Sequence, residues 1–295
     1  MEKREILKRV FGHEDFREGQ EQLVDELLGG HDVLGVMPTG AGKSVCYQLP
    51  ALMLEGVTLV VSPLISLMKD QVMALKASGV AAAYINSSLT PGQQAEAIRR
   101  AAAGAYRIIY VAPERLNMPQ FLAFANQAQI PLLAVDEAHC VSQWGQDFRP
   151  SYLHIAEFVH GLPRRPAVGA FTATATRRVR DDIIKLLDLE EPLCLSTGYN
   201  RPNLHFTSVK PTNKFTMLCS FLDTMPGECG IVYCNTRRTV EEVTGKLTLN
   251  GYSATRYHAG LSDAERHANQ DDFQYDRAHI MVATNAFGMG IDKSN

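Results

Sequence analysis

The chain repeats one pattern, in which a short apolar run is followed at once by a polar motif. Five such runs lie in the first two thirds of the chain and two in the last third, at Val33–Met37, Val57–Val61, Ile108–Val111, Leu132–Val135, Val168–Phe171, Ile231–Tyr233 and Ile280–Ala283. Uninterrupted apolar runs are typical of strands that are buried on both faces of a parallel sheet. The polar motifs then gather at the carboxyl ends of the strands, where open α/β sheets bind ligands.

Amphipathic stretches between these runs predict helices. They are Met1–Gly12, Ser66–Ser78, Gly92–Ala103, Arg178–Leu187, Val240–Leu249 and Asp263–Phe273. Strand and helix therefore alternate along the chain, which places the protein in the α/β class. The segment Asn200–Asn203 interrupts the alternation with a proline and reads as a connection. We predict two lobes, residues 1–205 and 206–295.

Charge and composition narrow the class of protein. The net charge of −3 gives no global basic field, so any nucleic-acid contact must use local patches. Arg164–Arg165, Arg177–Arg180 and Arg237–Arg238 are such patches, although a solvated surface is the simpler interpretation of each.

The six cysteines form no C-x-x-C pair, so we expect no zinc site within the chain and a reducing compartment. No run approaches the roughly 18 apolar residues that span a membrane. We expect a cytoplasmic protein, or a nuclear one if the source is eukaryotic.

The segment Pro38–Ser44, PTGAGKS, follows the first apolar run and predicts a phosphate-binding loop. Its glycines let backbone N–H groups converge on phosphate oxygens, and the next helix adds its positive end. Lys43 is expected to reach the β- and γ-phosphates, and Ser44 is expected to ligate Mg²⁺. A glycine-rich turn without a ligand is the alternative, which the strand before and the helix after disfavour. The residues expected to hold the nucleotide here are Thr39, Gly40, Ala41, Gly42, Lys43 and Ser44.

The DEAH sequence, Asp136 to His139, follows the fourth apolar run and predicts the other half of a nucleoside-triphosphate site. A carboxylate at the end of a buried strand needs a partner, and a Mg²⁺ ion suits Asp136. Glu137 is placed to orient and deprotonate the attacking water. His139 is either a hydrogen-bonded structural residue or a relay, and the sequence favours neither.

A third segment, FREGQ, precedes the phosphate loop by about one helix. The amide of Gln20 has the donor and acceptor that pair with N6 and N7 of adenine. Arg17 and His13 are candidates for stacking on the ring. A plain turn and helix start is the alternative for Gln20 taken alone.

The motifs follow one another in a fixed order. They are FREGQ, MPTGAGKS, VSPLISLMKDQV, YVAPERL, VDEAHCVSQWGQDFRP, FTATAT, IVYCNTR, YHAGL and ATNAFGMGID. In this order they resemble the RecQ family of superfamily 2 DNA helicases, bacterial type, over essentially the whole chain. The resemblance implies two RecA-like lobes with parallel sheets flanked by helices. It also implies 3′→5′ unwinding of DNA, driven by Mg·ATP, in replication, recombination and repair, with single-stranded and forked duplex DNA as the partner.

The resemblance also implies roles for individual residues. Gln20 would read adenine, the loop Ser142–Arg149 would sense single-stranded DNA and signal to the ATP site, and Thr172 and Thr174 would couple hydrolysis to movement. Gln146 stands where the family commonly has histidine. The residues expected to contact or sense DNA are Ser62, Pro63, Ser142, Gln143, Trp144, Phe148, Arg149, Thr172, Thr174, Asn235, Arg237 and Thr284.

Trp144 is the only tryptophan of the chain, and a single tryptophan is usually a core residue. Its neighbours Gln143, Gly145, Gln146 and Asp147 argue against burial. Stacking of a base on an aromatic ring is worth about 1–3 kcal/mol, and opening one duplex step costs about 1.4 kcal/mol. These magnitudes match, so the loop is expected to hold one unstacked base at a fork.

The sequence stops at Asn295, before the Q-x-x-G-R-x-G-R motif that the family resemblance implies. That motif would supply an arginine finger, which is worth about 10³–10⁵ in rate in analogous hydrolases. We therefore expect a helicase fragment whose second lobe is truncated. We expect this fragment to bind Mg·ATP and to hydrolyse it slowly. Zinc-binding and winged-helix modules would also lie beyond the chain, and we expect a single-stranded-DNA-binding protein as a partner of these modules.

Two other functions stay open from the sequence. One is a non-catalytic, ATP-gated DNA-binding module, and the other is an RNA helicase of the same superfamily. The segment Val135–Pro150 and the FREGQ motif favour DNA over RNA.

Overall fold

Strands and helices alternate in the computed structural model, which describes residues 2–198 and 204–287. The chain divides into two units, Met1–Arg201 and Pro202–Asn295. The predicted connection at Asn200–Asn203 lies outside the described residues, and the lobe boundary near residue 205 stays a prediction. Within the described ranges, no helix is both long and apolar enough to cross a membrane.

The first unit is built on a seven-stranded sheet with the order β3-β4-β2-β5-β6-β1-β7. All of its pairings in the described residues are parallel. The strands are β1 (Val33–Val36), β2 (Thr58–Val61), β3 (Ala82–Ile85), β4 (Ile108–Val111), β5 (Leu132–Val135), β6 (Ala167–Thr172) and β7 (Leu193–Ser196). The five inner strands are buried along their whole length, as the uninterrupted apolar runs predict.

Helices cover both faces of this sheet. They are α1 (Lys3–Phe11), α2 (Gln20–Leu28), α3 (Lys43–Met53), α4 (Ile65–Ala77), α5 (Pro91–Ala102), α6 (Pro119–Ala125), α7 (Ile155–His160) and α8 (Arg177–Leu186), with 3₁₀ turns at Pro113–Arg115, Ala138–Val141 and Pro150–His154. One core cluster joins α5 to α8 with one sheet face, and a second joins α2, α3 and α4 with the other face. The sheet is therefore a middle layer, and its carboxyl ends carry the polar motifs.

The two strands at the edges of this sheet are absent from the sequence prediction. The strand β3 contains two alanines, which have low β propensity. In β7, half-buried residues alternate with exposed ones, so it has no continuous apolar run. Each of these edge strands is stabilised by backbone hydrogen bonds to its one neighbouring strand. The residues of the segment itself do not indicate that such a neighbour is present, so the apolar pattern does not predict the strand.

The second unit contains a three-stranded parallel sheet with the order β8-β10-β9. The strands are β8 (Gly230–Tyr233), β9 (Ala254–Tyr257) and β10 (Ile280–Ala283), and the helices are α9 (Lys214–Asp223), α10 (Arg237–Leu249) and α11 (Asp263–Gln274). The prediction that β8 is buried on both faces is wrong, because β8 is an edge strand in which Ile231 is 44% and Tyr233 is 57% exposed. The strand β9 and the helix α9 are further elements that the apolar pattern does not predict.

Candidate functional site

The loop between β1 and α3 turns through two glycines with left-handed backbone angles. Gly40 has φ +81° and Gly42 has φ +78°, a backbone region that residues other than glycine rarely adopt. A β-carbon on Gly42 would also lie 2.5 Å from Nε2 of Gln20. The helix α3 begins directly afterwards at Lys43, so its unpaired N–H groups point into the loop. The loop thus has the backbone form that holds phosphate.

The cationic and hydroxyl groups predicted for the phosphates lie at this loop. Nζ of Lys43 donates to the carbonyl oxygen of Met37 at 3.2 Å, and Ser44 is half-buried in the first turn of α3. The guanidinium of Arg17 donates to the carbonyl oxygen of Gly40. The side chain of Lys43 therefore folds back over its own loop. Its ammonium can exchange the carbonyl oxygen of Met37 for a phosphate oxygen.

Gln20 binds the phosphate loop directly. Its Oε1 accepts from the Arg17 amide at 2.8 Å, and its Nε2 donates to the carbonyl oxygens of Ala41 and Gly42 at 3.0 and 3.1 Å. Both ends of the buried amide are therefore engaged, and reading adenine requires that Gln20 exchange these bonds. Arg17 and His13 are exposed.

We expect Lys43→Ala to weaken binding of Mg·ATP about ten- to a hundredfold. A hydrogen bond to a charged group is worth about 1.5–3 kcal/mol, and each 1.4 kcal/mol is a factor of ten. Isothermal titration of the full chain measures the dissociation constant, and Lys76→Ala on the exposed side of α4 is the matched control. A variant that binds Mg·ATP within threefold of the wild type would contradict the role of Lys43.

Asp136 is a buried carboxylate at the carboxyl end of β5. It is 6% exposed, its backbone amide donates to Val61, and its Oδ1 accepts from the Glu137 amide at 3.0 Å. Burial raises the pKa of Asp136 to about 7, and the Glu137 carboxylate adds to the rise, while Lys43 opposes it. Among the ion pairs of residues 2–198, none includes Asp136. A carboxylate held in this way fits a cation.

Glu137 has a strained backbone, and its side chain faces His139. Its φ of 48° is left-handed, which is rare for a residue other than glycine and typical of functional sites. Nδ1 of His139 lies 3.3 Å from Oε2 of Glu137 and 2.8 Å from Oγ1 of Thr172. The Thr172 hydroxyl donates to the carbonyl oxygen of Thr174, so Nδ1 of His139 is the donor to Thr172. His139 therefore joins the DEAH sequence to the FTATAT segment, in which Thr172 is buried and Thr174 is exposed.

The loop Ser142–Arg149 is built directly on the DEAH backbone. Gly145 lies so close to His139 that a β-carbon at this position would overlap the His139 carbonyl oxygen. Just past the loop, the hydroxyl of the fully buried Tyr152 donates to the carbonyl oxygen of Asp136 at 2.9 Å. Neither Gly145 nor Tyr152 is among the predicted site residues. The sequence signal for Gly145 is its place in the motif VDEAHCVSQWGQDFRP, whereas nothing in the local sequence reveals the contact of Tyr152 with Asp136.

The predicted DNA-sensing side chains of this loop differ in their exposure. Trp144 is 61% exposed, which confirms that its polar neighbours keep it out of the core. Gln143 is also exposed, and Phe148 is half-buried. Ser142 is fully buried, and its hydroxyl donates to Oδ2 of Asp182 at 2.6 Å. Ser142 therefore supports the loop in this structure, and Trp144 and Gln143 form its accessible part.

Arg149 links the same loop to the segment after β2. Its guanidinium donates to the carbonyl oxygen of Pro63 at 2.8 Å and forms a two-point ion pair with Asp147. Pro63 is half-buried, whereas Ser62 is fully buried and its hydroxyl has no hydrogen-bond partner in the described residues. The structure therefore does not bring the Ser62 hydroxyl to the surface where a phosphate could reach it.

In the second unit, three predicted DNA contacts lie at the carboxyl edge of the sheet. Asn235 follows β8, Arg237 begins α10, and Thr284 follows β10. Asn235 and Arg237 are exposed, and Thr284 is half-buried with its amide bonded to Tyr257. Parallel strands place these residues at one edge of the unit.

A buried histidine at this edge is missing from the sequence prediction. Nε2 of His258 lies 2.8 Å from Oε1 of Glu241, and its Nδ1 accepts from the Gly260 amide at 3.1 Å. The Arg237 side chain packs against Gly260. The YHAGL motif is the sequence signal for His258, but its partner Glu241 can only be seen in the fold.

No group of three or more His, Cys, Asp or Glu side chains within residues 2–198 and 204–287 is arranged to hold a metal ion. Asp136 is thus a single buried carboxylate outside any such group. This arrangement suits Mg²⁺, which keeps several waters and takes further ligands from substrate phosphates.

A phosphate loop after β1 and a DEAH sequence after β5, the two strands that flank β6, define a nucleoside-triphosphate site of the kind found in helicases. The chain belongs to the DEAD/DEAH box helicase family, whose model matches residues 17–183. A second model, the helicase conserved C-terminal domain, matches residues 213–295. Membership of this family implies ATP and Mg²⁺ as ligands and nucleic acid as partner.

Relatives confirm the resemblance to RecQ. The chain is 46% identical over 291 residues to the ATP-dependent DNA helicase RecQ of Bacillus subtilis (strain 168), covering 98% of this chain and 49% of the relative. It is 44% identical over 291 residues to the protein of the same name from Pasteurella multocida (strain Pm70), covering 99% and 46%. The chain therefore spans about half the length of these curated relatives.

Solved structures confirm the fold class, α/β with two RecA-like lobes. Saccharomyces cerevisiae Dbp5 bound to RNA and ADP BeF3 matches with a TM-score of 0.70 at 20% identity, covering 98% of this chain and 75% of that chain. A hypothetical ATP-dependent RNA helicase from Sulfolobus tokodaii matches with a TM-score of 0.55 at 22% identity, covering 98% and 84%. At these identities the likeness concerns the fold alone.

Proposed function

We propose that this chain forms the motor part of a RecQ-type DNA helicase. It would couple hydrolysis of Mg·ATP to 3′→5′ movement on single-stranded DNA and to unwinding of duplexes in recombination, replication and repair. Similarity to RecQ proteins across almost the whole chain supports this proposal.

The observation that carries the proposal is the contact between the loop Ser142–Arg149 and the DEAH backbone. Gly145 packs on the His139 carbonyl, and Tyr152 is bonded to the Asp136 carbonyl. A nucleic acid that moved the loop would therefore also move the backbone that carries Glu137. Close packing transmits such a shift because the interior has little free volume.

The residues of the first unit divide the chemistry among themselves. The backbone amides at the start of α3 and the ammonium of Lys43 bind the phosphates, and Ser44 and Asp136 would hold Mg²⁺, which neutralises phosphate charge when bound. Glu137 orients the attacking water and accepts its proton. His139 would couple a displacement of the Glu137 side chain to Thr172, because its Nδ1 contacts both side chains. In the second unit, Asn235, Arg237 and Thr284 would bind the DNA backbone.

A strand-displacement assay with the full-length protein tests the proposal, because slow turnover is expected of residues 1–295 alone. With ATP and Mg²⁺, we expect displacement from a 3′-tailed duplex and none from a 5′-tailed or blunt duplex of the same sequence. ATP hydrolysis is expected to rise with single-stranded DNA and to respond less to RNA of the same sequence. Equal stimulation by RNA would instead support an RNA helicase. ATP-dependent DNA binding without hydrolysis would support a non-catalytic module.

Two expectations from the sequence remain predictions. Slow turnover by residues 1–295 is tested by the steady-state rate of phosphate release in the presence of single-stranded DNA. A single-stranded-DNA-binding protein as partner is tested by co-sedimentation with the full-length protein.

A further inference from the structure

The exposed tryptophan of the loop Ser142–Arg149 is stacked on an arginine from another element. Cζ of Arg178 lies 3.6 Å from the centroid of the Trp144 ring, at the distance of a stacked cation–π pair. Arg178 is the second residue of α8 and is itself exposed. Although this guanidinium covers one face, the Trp144 side chain remains 61% exposed. The indole therefore has one occupied face and one that is open to solvent.

The helix α8 holds the loop at a second point, one turn further along. Oδ2 of Asp182 accepts from the Ser142 hydroxyl at 2.6 Å, and the same hydroxyl oxygen accepts from the Trp144 amide at 3.1 Å. Arg178 and Asp182 are four residues apart and thus share one face of the helix. The hydrogen bonds of the Ser142 hydroxyl fix the backbone of Trp144, and the stacking on Arg178 fixes its ring.

The guanidinium of Arg178 has no hydrogen-bonding or ionic partner in the described residues. Among the hydrogen bonds and ion pairs of residues 2–198, none includes the Arg178 side chain, whereas Arg180 donates to Ala175 and Ser196. Its stacking on Trp144 is therefore its role in the described structure. The neighbouring Arg177 carries the same charge on an exposed position, and it is Arg178 that forms the cation–π pair with the indole.

We infer that Arg178 is a positioning residue that holds Trp144 with one face open to a base of single-stranded DNA. This inference rests on the proposed function, because it assigns the geometry of the predicted DNA-sensing loop. A flexible aromatic side chain loses conformational entropy when a base stacks on it, and a ring that is already held loses less. Arg178 thus raises affinity by pre-organising the indole rather than by binding a phosphate.

Because Trp144 is the only tryptophan, tryptophan fluorescence reports on the surroundings of this one indole. Titration of the full chain with oligo(dT) measures the quenching of emission, and the anisotropy of the free protein measures the freedom of the ring. For Arg178→Ala we expect lower anisotropy and about two- to tenfold weaker binding of oligo(dT). Arg178→Lys, which keeps the charge and loses the planar stack, is expected to resemble Arg178→Ala.

Arg177→Ala is the matched control, because it removes an equal charge next to the contact. We expect its anisotropy to equal that of the wild type. The slope of the logarithm of affinity against the logarithm of salt concentration separates the two roles of an arginine. Loss of a phosphate contact lowers this slope by about 0.7 on a single strand. We expect Arg178→Ala to leave the slope unchanged.

Four results would overturn the inference. Anisotropy and affinity of Arg178→Ala equal to the wild type would remove the positioning role, and tighter binding would mean that Arg178 competes with the base. A reduced salt slope would make Arg178 a phosphate ligand. Wild-type emission that does not respond to oligo(dT) would exclude base stacking on Trp144. In each case the helicase proposal is still judged separately by strand displacement, and urea unfolding shows that the variants are folded.

Discussion

Replacing Glu137 with Gln is expected to lower the rate of ATP hydrolysis by about 10²–10⁴, the range in which a general base contributes. The amide keeps the shape of the side chain but cannot accept the proton of the attacking water. The backbone amide of Glu137, which donates to Oδ1 of Asp136, is unchanged by the substitution, as is the left-handed φ of this residue. Single-turnover phosphate release with saturating Mg·ATP measures the effect.

Binding distinguishes a catalytic loss from a structural one. The dissociation constant of Mg·ATP for the Glu137→Gln variant is expected to stay within threefold of the wild type, because Lys43 and Asp136 remain. Glu157→Gln on α7 removes a carboxylate from an exposed position and is the control for the change in charge. A rate that falls less than tenfold would mean that another group accepts the proton.

The second large effect concerns stability, because Asp136→Asn is expected to stabilise the first unit at neutral and alkaline pH. Burial raises the pKa of Asp136 from an ordinary 3.8 to about 7. The folded protein therefore favours the protonated carboxyl, and this contribution to stability is fully present below pH 4. It is lost as the pH rises through about 7, where the buried carboxylate ionises.

The size of the effect follows from the same linkage. At about 1.36 kcal/mol for each pKa unit, a rise from 3.8 to about 7 gives an upper limit near 4 kcal/mol at pH 8. The advantage of Asp136→Asn over the wild type is expected to be larger at pH 8 than at pH 5. The asparagine variant is also expected to bind Mg·ATP more weakly, because an amide is a poorer ligand for Mg²⁺ than a carboxylate.

Urea unfolding followed by tryptophan emission measures this stability, since Trp144 lies in the same unit as Asp136. The exposed carboxylate of Glu96 provides a control. The neighbouring Arg99 lowers the pKa of Glu96 through a side-chain hydrogen bond, so Glu96→Gln is expected to show no gain that grows with pH. A difference between Asp136→Asn and the wild type that is the same at pH 5 and pH 8 would show that the buried carboxyl does not titrate in this range.

Together these expectations describe a site whose function opposes its stability. A carboxylate at the end of a fully buried strand is unfavourable for the unliganded fold, and a strained backbone at Glu137 adds to the cost. Both features are compatible with a cation and a phosphate chain that enter only with the substrate. The raised pKa of Asp136 is thus an indication of where positive charge belongs.

Much of the first unit could be predicted from the sequence, and the limits of that prediction have a physical cause. Inner strands such as β2 and β5 are buried on both faces, so their apolar content alone identifies them. The edge strands β3 and β7 depend on hydrogen bonds from one neighbour, and their own residues resemble loop or helix. In the second unit the same reasoning failed for β8, because its apolar residues are left partly exposed at an edge.

The candidate site divides in the same way. The sequence alone predicts Lys43, Ser44, Asp136 and Glu137 as site residues, because the phosphate loop and the DEAH sequence each follow a buried strand and parallel strands end at one edge of the sheet. Their chemistry needs particular side chains at fixed spacings, and spacing is visible in a sequence.

Only the tertiary structure decided what these residues touch. The contacts of His139 with Thr172, of Gln20 with the phosphate loop and of Arg178 with Trp144 join segments that are 33, 21 to 22 and 34 positions apart. The burial of Ser62 and Ser142 likewise depends on elements that pack from elsewhere in the chain. Such contacts form when helices from distant parts of the chain pack on the sheet. The local pattern of residues therefore does not predict them.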